Sequence, residues 1–323
     1  MEYSEQELTP NKIDALTTDE LIIKALDYRE KLDACCDDLA KLSHHDTLSV
    51  RTNNQSKLSR QRELLEANQD TLLIAYWDIV SVLHTRGSET EFQYCKTLVE
   101  SPLANERILA ADILGQLCYQ DKDKYYDFVV TKLIKLLDDN DDDVVASAAT
   151  ALGHRVKKDS DFRAIAKLIN LANHSNKHIR QSVVFALGGV EHPEAIKTLI
   201  KLCDDKDVYI RDWALFSLGS LIETDTAEIR ETLKKALMDD DFIVRGEALV
   251  GLAQRGDCSI INQLTKELDG EEDLHHVMTA CELLADSSLL PHLQKLKKRY
   301  EDLDTDYDLT GIDDAIEACS KIK

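Results

Sequence analysis

Proline and glycine are scarce in this chain, at 4 and 11 of 323 residues. That excludes collagen-like and Pro/Gly-rich low-complexity architectures. Aromatic residues make up 6%, and β-branched residues are not gathered into alternating runs, so a sheet has little to build on. No apolar run approaches the roughly 18–20 residues that span a bilayer. The opening stretch, "MEYSEQELTPNK", is acidic and polar, unlike a secretory leader. Positive charge is short as well: 39 basic residues stand against 61 acidic ones, a formal net charge of -22. Such a surface repels phosphate backbones, which argues against nucleic acid as a partner. The eight cysteines (Cys35, Cys36, Cys95, Cys118, Cys203, Cys258, Cys281 and Cys319) form no CxxC pair. They read as reduced, small core residues of a cytoplasmic protein. No Gly-rich phosphate loop, GxSxG or HExxH is present. The chain is therefore expected to be no enzyme, with no cofactor, metal or small-molecule substrate.

What the chain has is a repeated helical phrase. "NERILAADILGQL", "DVVASAATALGHR", "HIRQSVVFALGG", "YIRDWALFSLGS" and "FIVRGEALVGLAQR" share one pattern. Anchored on Arg107, Val145, Arg180, Arg211 and Arg245, they follow at steps of 38, 35, 31 and 34 residues. Eight residues after each anchor stands Gly115, Gly153, Gly188, Gly219 or Ala253. Each is followed by a second amphipathic segment, such as "PEAIKTLIKLCDD", with Ile196, Leu199, Ile200 and Cys203 at helical spacing. One helix pair cannot bury its apolar faces alone, whereas stacked neighbours share a continuous core. The small residue is expected to let the second helix of each pair cross closely.

A weaker sixth unit, "DLHHVMTACELLADSSLLPHLQKLKKRY", lacks both the arginine and the small residue. The resulting division is a helical cap over 1–90, a repeat array over 91–303 and a closing helix within 304–323. Within the cap, Thr17 or Thr18 is a candidate N-cap. The polar stretch near 43–60 is expected to be a loop or mobile insertion; "QRELLEANQDTLLIAYWDIVSVLHTR" is expected to resume a long helix, and the cap to supply one divergent repeat of its own.

The Ile/Val-Arg start, the Ala-rich helix and the Leu-Gly end of "IRQSVVFALGG", "IRDWALFSLGS" and "VRGEALVGLAQRGD" resemble HEAT repeats. The resemblance is to the short bacterial type also found in phycobilin lyase subunits, and it covers roughly residues 100–300. It implies an all-α, right-handed α-solenoid. Some relatives in this group are encoded beside polymorphic toxins and act as their immunity proteins, and the resemblance implies that role here. A phycobilin lyase-like enzyme and a general scaffold or assembly factor are the alternatives; no bilin-handling residue carries over to this sequence.

The candidate partner-binding residues follow from charge and residue type. Acidic runs sit between units: Asp138, Asp139, Asp141, Asp142 and Asp143; then "DDKD" at 204–207, including Asp207; then Asp239, Asp240 and Asp241; then "DGEED" at 269–273. Stacked loops would align these into an acidic rim suited to a basic protein, although Asp also caps helices. The loop "NHSNK" at 173–177 interrupts the rim. Tyr209 and Trp213, with Asp207 and Asp212 beside Arg211, are residue types that anchor interfaces. Arg107, Arg180, Arg211 and Arg245 are expected to form a structural ladder rather than a docking surface. The adjacent pairs His44–His45 and His275–His276 do not share a helix face and make no metal site. A concave face lined by the second helices, with Lys197, Lys201, Glu228, Glu231, Lys235, Asn262 and Lys266, is expected to hold the partner.

Overall fold

The computed structural model describes residues 10–48, 55–118, 121, 123–155, 162–270, 274–302 and 309–321. The described residues are overwhelmingly helical and include no strand. The chain folds as two compact units, Met1–Arg155 and Val156–Lys323. The first unit holds α1 (Pro10–Ile13), α2 (Thr18–Leu48), α3 (Gln55–Arg86), α4 (Glu89–Leu98), α5 (Ala104–Gln116), α6 (Tyr126–Leu136) and α7 (Asp142–Arg155). The second holds α8 (Phe162–Leu171), α9 (Lys177–Leu187), α10 (Pro193–Leu202), α11 (Val208–Phe216), α12 (Ala227–Ala236), α13 (Phe242–Gln254), α14 (Ile261–Asp269), α15 (His275–Leu284), α16 (Leu290–Asp302) and α17 (Thr310–Ser320).

Helix α2 starts as the sequence predicts. The Glu20 N–H donates to Thr17 Oγ1, and the Thr17 N–H donates to Glu20 Oε2 at 2.8 Å, a reciprocal capping box. A second box, Ser88 with Glu91, opens α4. The Thr18 hydroxyl donates to the same Glu91 carboxylate at 2.6 Å and ties the two helix starts together. The stretch near 43–60 differs from expectation. Helix α2 runs on to Leu48 and α3 is already helical at Gln55; residues 49–54 lie outside the described residues. The stretch contains neither proline nor glycine, and polarity alone does not stop a helix. The far half of α3 buries Tyr76, Ile79, Val80 and Leu83 and packs on α5, as the first helix of a divergent repeat completed by α4.

The small residues act across repeats. A Cβ on Gly115 of α5 would stand 2.9 Å from Cα of Ala151 in α7, and one on Gly219 would stand 3.0 Å from Cα of Gly251 in α13. Gly188 meets Ser217 Oγ in the same way, at 3.0 Å. The expected close crossing within one helix pair is therefore corrected. The small residue faces the equivalent helix of the next repeat, because it ends the buried stripe that α5 presents to α7, and that the end of α11 presents to α13.

In the second unit α9, α11, α13, α15 and α17 pack side by side in one row. The helices of the other row, α10, α12 and α14, approach each other less closely. The arginine-anchored helices therefore form the more closely packed row of this unit. Of the second-helix side chains expected to face the partner, Lys235 is paired with Asp204 at 2.6 Å and Lys197 with Glu194 at 2.8 Å.

A second arginine device was not visible in the repeat pattern. Arg155 and Arg255 each stand ten residues after an anchor position. Arg155 donates to the carbonyl oxygens of Leu114 and Leu117 at the end of α5. Arg255 donates to those of Gly219 at 2.7 Å, Leu218 at 2.6 Å and Ile222 at 3.1 Å, around a π-turn that follows α11. Each guanidinium supplies donors and positive charge at the electronegative end of the preceding row helix.

The row packing makes a test. Gly251→Ala would bring a methyl to within 2.7 Å of the Gly219 Cα, and is expected to cost about 1–3 kcal/mol in urea unfolding. Gly311→Ala in α17 meets only the flexible end of Met278 at 3.4 Å. It is expected to be neutral or to stabilise by up to about 1 kcal/mol. Equal costs for the two substitutions would show that the row is not closely packed at Gly251.

Candidate protein-docking face

The inter-repeat loops of the second unit are wired by one repeated arrangement. Arg180 sends Nε and Nη2 to the two oxygens of Asp205 at 2.7 and 2.9 Å, and Nη1 to the carbonyl of His174. Arg211 does the same with Asp239, at 2.8 Å for both bonds, and sends Nη1 to the carbonyl of Asp205. Arg245 sends Nη1 to the carbonyl of Asp239 and lies 3.7 Å from Glu267. In the first unit Arg107 binds Asp139 through two 2.8 Å bonds and the carbonyl of Ser101. Each of these arginines grips the loop before its own helix, and three of them also grip an aspartate in the loop ahead.

The aspartate two residues further on caps the next helix. Asp141 accepts from the Asp143 and Val144 amides, Asp207 from Tyr209, and Asp241 from Ile243 and Val244. The paired aspartate also accepts from the capping residue's own amide, at 3.0 Å in Asp139–Asp141 and Asp239–Asp241 and 2.9 Å in Asp205–Asp207. The pattern is Asp-x-Asp: the first takes an arginine, the second a helix end. The loop at 173–177 replaces it with His174-x-Asn176, where the His178 amide donates to Asn176 Oδ1. The anchor before that loop is Val145, which has no guanidinium to satisfy.

Most of the proposed acidic rim is therefore engaged within the fold. Asp139 and Asp239 hold arginines, Asp141 and Asp241 cap helices, and Asp207 caps α11 with Lys177 3.6 Å away. Asp142 and Asp143 sit in the first turn of α7, where negative charge meets the helix dipole. Asp138 and Asp240 are exposed. Residues 271–273 of "DGEED" lie outside the described residues. Reversing all five carboxylates of 138–143 would unpair Arg107 and uncap α7, so it would not isolate a docking effect. A cleft of about 430 Å³ in the first unit is also acidic, lined by Glu30, Asp33, Asp37 and Glu106 among others. Asp33 there is bonded by Asn105 at 2.8 Å.

Tyr209, Trp213 and Asp212 are different. Tyr209, Trp213 and Phe216 follow at i, i+4 and i+7 and share one face of α11. Tyr209 is 64% exposed and Trp213 39%. The Trp213 ring is held edge-on between Phe185 of α9, at 6.2 Å, and Phe216, at 5.8 Å. This is an aromatic ridge running across α9 and α11. Asp212 lies beside it, half-buried, with neither hydrogen bond nor ion pair among the described residues. Burial, then the like charge of Glu247, pushes its carboxyl up from 3.8 to about 6. Glu247, on α13, faces His276 Nε2 of α15 at 3.1 Å. Gly246 makes the room: a Cβ there would stand 2.7 Å from the His276 Cβ. Asp212 and the aromatics were legible as residue types, whereas Glu247 and His276 were not, since repeat spacing does not bring them together.

The two aspartate classes predict opposite pH profiles. Arg211 holds Asp239 below its ordinary value, so its stabilisation is present above about pH 4 and is lost as pH falls through its depressed pKa. Asp239→Asn is expected to cost about 1 kcal/mol at pH 7, a difference that shrinks below pH 4. The Asp212 pKa is raised, so ionising it opposes folding as pH climbs from about 4 through about 6. A two-unit shift corresponds to about 2.7 kcal/mol, and half-exposure to solvent cuts that to about 1. Asp212→Asn is expected to stabilise the chain at pH 7 and to make no difference near pH 4. Chemical unfolding at both pH values checks both signs.

Residues 165–229 match the family described as HEAT repeats. Along 253 residues the chain is 25% identical to protein YibA of Escherichia coli, covering 77% of this chain and 89% of YibA. The crystal structure of the E. coli protein is 22% identical, with a TM-score of 0.64 over the whole of both chains, a likeness of fold. A weaker likeness, TM-score 0.46 at 18% identity, links 70% of this chain to 91% of a chain in the CpcE–CpcF complex of phycocyanin lyase from Nostoc sp.. No helix among the described residues is long and apolar enough to cross a membrane. The chain is an all-α repeat protein whose residues 165–229 match HEAT repeats, and it is similar to YibA along most of its length.

Proposed function

We propose that this chain works by binding another protein, and that its partner is a basic one. The observation that carries the reading is the aromatic ridge of Tyr209, Trp213 and Phe216 beside an unpaired carboxylate, on a chain of net charge -22. Large aromatics give much contact area at low entropic cost. Opposite charge speeds encounter and fixes register. On this reading the chain carries no catalytic centre. The specific role is that of an immunity protein: it occupies a basic toxin domain, of which a nuclease is the chemical type best matched to an acidic plug, and blocks its approach to substrate. The resemblance of the repeats "IRQSVVFALGG" and "IRDWALFSLGS" to the bacterial HEAT group supports this reading.

The test is co-expression with the polypeptide encoded by the adjacent gene. Rescue of growth, with co-purification of a complex that weakens as salt is raised, is the expected result. Trp213→Ala is expected to weaken that complex at least about tenfold, or roughly 1.4 kcal/mol. A neighbour that is harmless, or that does not bind, removes the immunity role; a toxin complex indifferent to Trp213→Ala removes the ridge as its docking face.

A further inference from the structure

We infer that the exposed stripe of α3 from Glu63 to Trp77 is a docking face for an amphipathic α-helix of another protein, basic along one half and apolar along the other. The inference rests on the protein-binding reading only in taking a protein as the ligand; neither the ridge of the second unit nor the immunity role enters it. Glu63, Glu66, Asp70, Leu73 and Trp77 follow at steps of three, four, three and four residues, which sets them on one face of α3. Ile74 stands beside Leu73 on that face. All six are exposed, Ile74 at 64%, Leu73 at 41% and Trp77 at 40%. The opposite side of α3 is taken up by the fold. Tyr76, Ile79, Val80 and Leu83 are buried there, and the Cys35 thiol of α2 donates to the Leu65 carbonyl at 3.3 Å.

Steps of three and four sustained over about four turns make the seam that a second helix covers. Three large apolar side chains gathered on one exposed turn form a patch, which scattered surface residues do not. The Trp77 ring is set for such a contact. Tyr76 holds it edge-on at 5.5 Å, and the Tyr76 hydroxyl donates to Asp112 of α5 at 2.6 Å. Charge decides what the covering helix brings. Glu63, Glu66 and Asp70 have neither hydrogen bond nor ion pair among the described residues, with Arg60 and Arg62 included. Lysine or arginine on the incoming helix would pair with these carboxylates, and its apolar half would cover Leu73, Ile74 and Trp77. A second copy of this chain, pairing through the same stripe, offers the carboxylates no cation and is repelled at net charge -22.

The experiment uses the full chain and fluorescein-labelled, alanine-rich peptides of three heptads, followed by fluorescence anisotropy at low salt. Their a and d positions carry arginine along one half and leucine along the other, in two versions that differ in which half comes first. A third peptide has the same residues in shuffled order, and a fourth has glutamate in place of arginine. One ordered peptide is expected to bind at least about tenfold more tightly than the shuffled one. Trp77→Ala is expected to weaken it at least about tenfold. Glu66→Lys with Asp70→Lys is expected to do the same, and to bind the glutamate peptide more tightly than the unaltered chain does, a gain that misfolding does not produce. Glu231→Lys, on the exposed face of α12, is expected to stay within about twofold. If Trp77→Ala lowers the melting temperature, Ile74→Asp decides. Equal affinity for ordered and shuffled peptides overturns the docking face, as does charge reversal without effect. So does a dimer of the chain alone, seen in sedimentation velocity and dissociated by Ile74→Asp, because a second copy then covers the stripe. Failure of the peptides leaves the basic-partner reading intact, whereas a neighbouring gene product that does not bind removes the immunity role and leaves the docking face.

Discussion

Asp205 is held twice: its carboxylate takes the fork of Arg180, and its main-chain carbonyl takes Nη1 of Arg211. Asp239 repeats the arrangement between Arg211 and Arg245. Three arginines and two aspartates thereby run as one relay through successive loops of the second unit. Each link joins a helix start to a neighbouring loop, so the relay fixes where α9, α11 and α13 begin. Partial burial is what gives these pairs weight. Fully exposed ion pairs contribute little, whereas charge-assisted, bidentate bonds shielded from water hold geometry as well as energy.

With the helix starts pinned at one edge, the row helices close on each other at their other ends. The Cα of Gly251 would meet a methyl on Gly219 at 3.0 Å, and Arg255 stitches the same end by gathering the carbonyls of Leu218, Gly219 and Ile222. Loop relay and helix-end arginine thus grip opposite ends of the same helices. Between them lies the stretch of α11 that carries Tyr209, Asp212 and Trp213.

The repeat was legible in the sequence because helical periodicity and the arginine anchor both act over a few residues. The Thr17–Glu20 box was legible for the same reason. What lay beyond reach depends on partners a whole repeat away. Gly115 meets Ala151, 36 positions on, and no local rule says whether a small residue serves its own pair or the next. The acidic loops were ambiguous because one letter does three jobs: Asp139 binds an arginine, Asp141 caps a helix, and Asp138 is exposed. Polarity overstated the extent of the break near 43–60, since α2 reaches Leu48 and α3 is helical from Gln55.

The contrast between Asp212 and Asp239 carries the functional argument. Both are aspartates near the starts of arginine-anchored helices, and the fold treats them oppositely. It surrounds Asp239 with a guanidinium and an amide, and it leaves Asp212 half-buried beside a like charge. A structural role would favour asparagine or serine at 212, which bring no charge to desolvate. A carboxylate kept there against the interest of folding is better matched to something the chain lacks in isolation. Sequences are locally consistent except where a site demands otherwise, and stability is commonly lower at such sites. The exposed ring of Trp213 stands next to this one inconsistency. The Trp213 ring packs on Phe185 and Phe216, whereas the charged neighbours of Asp212, Glu247 and His276, come from the next two helices.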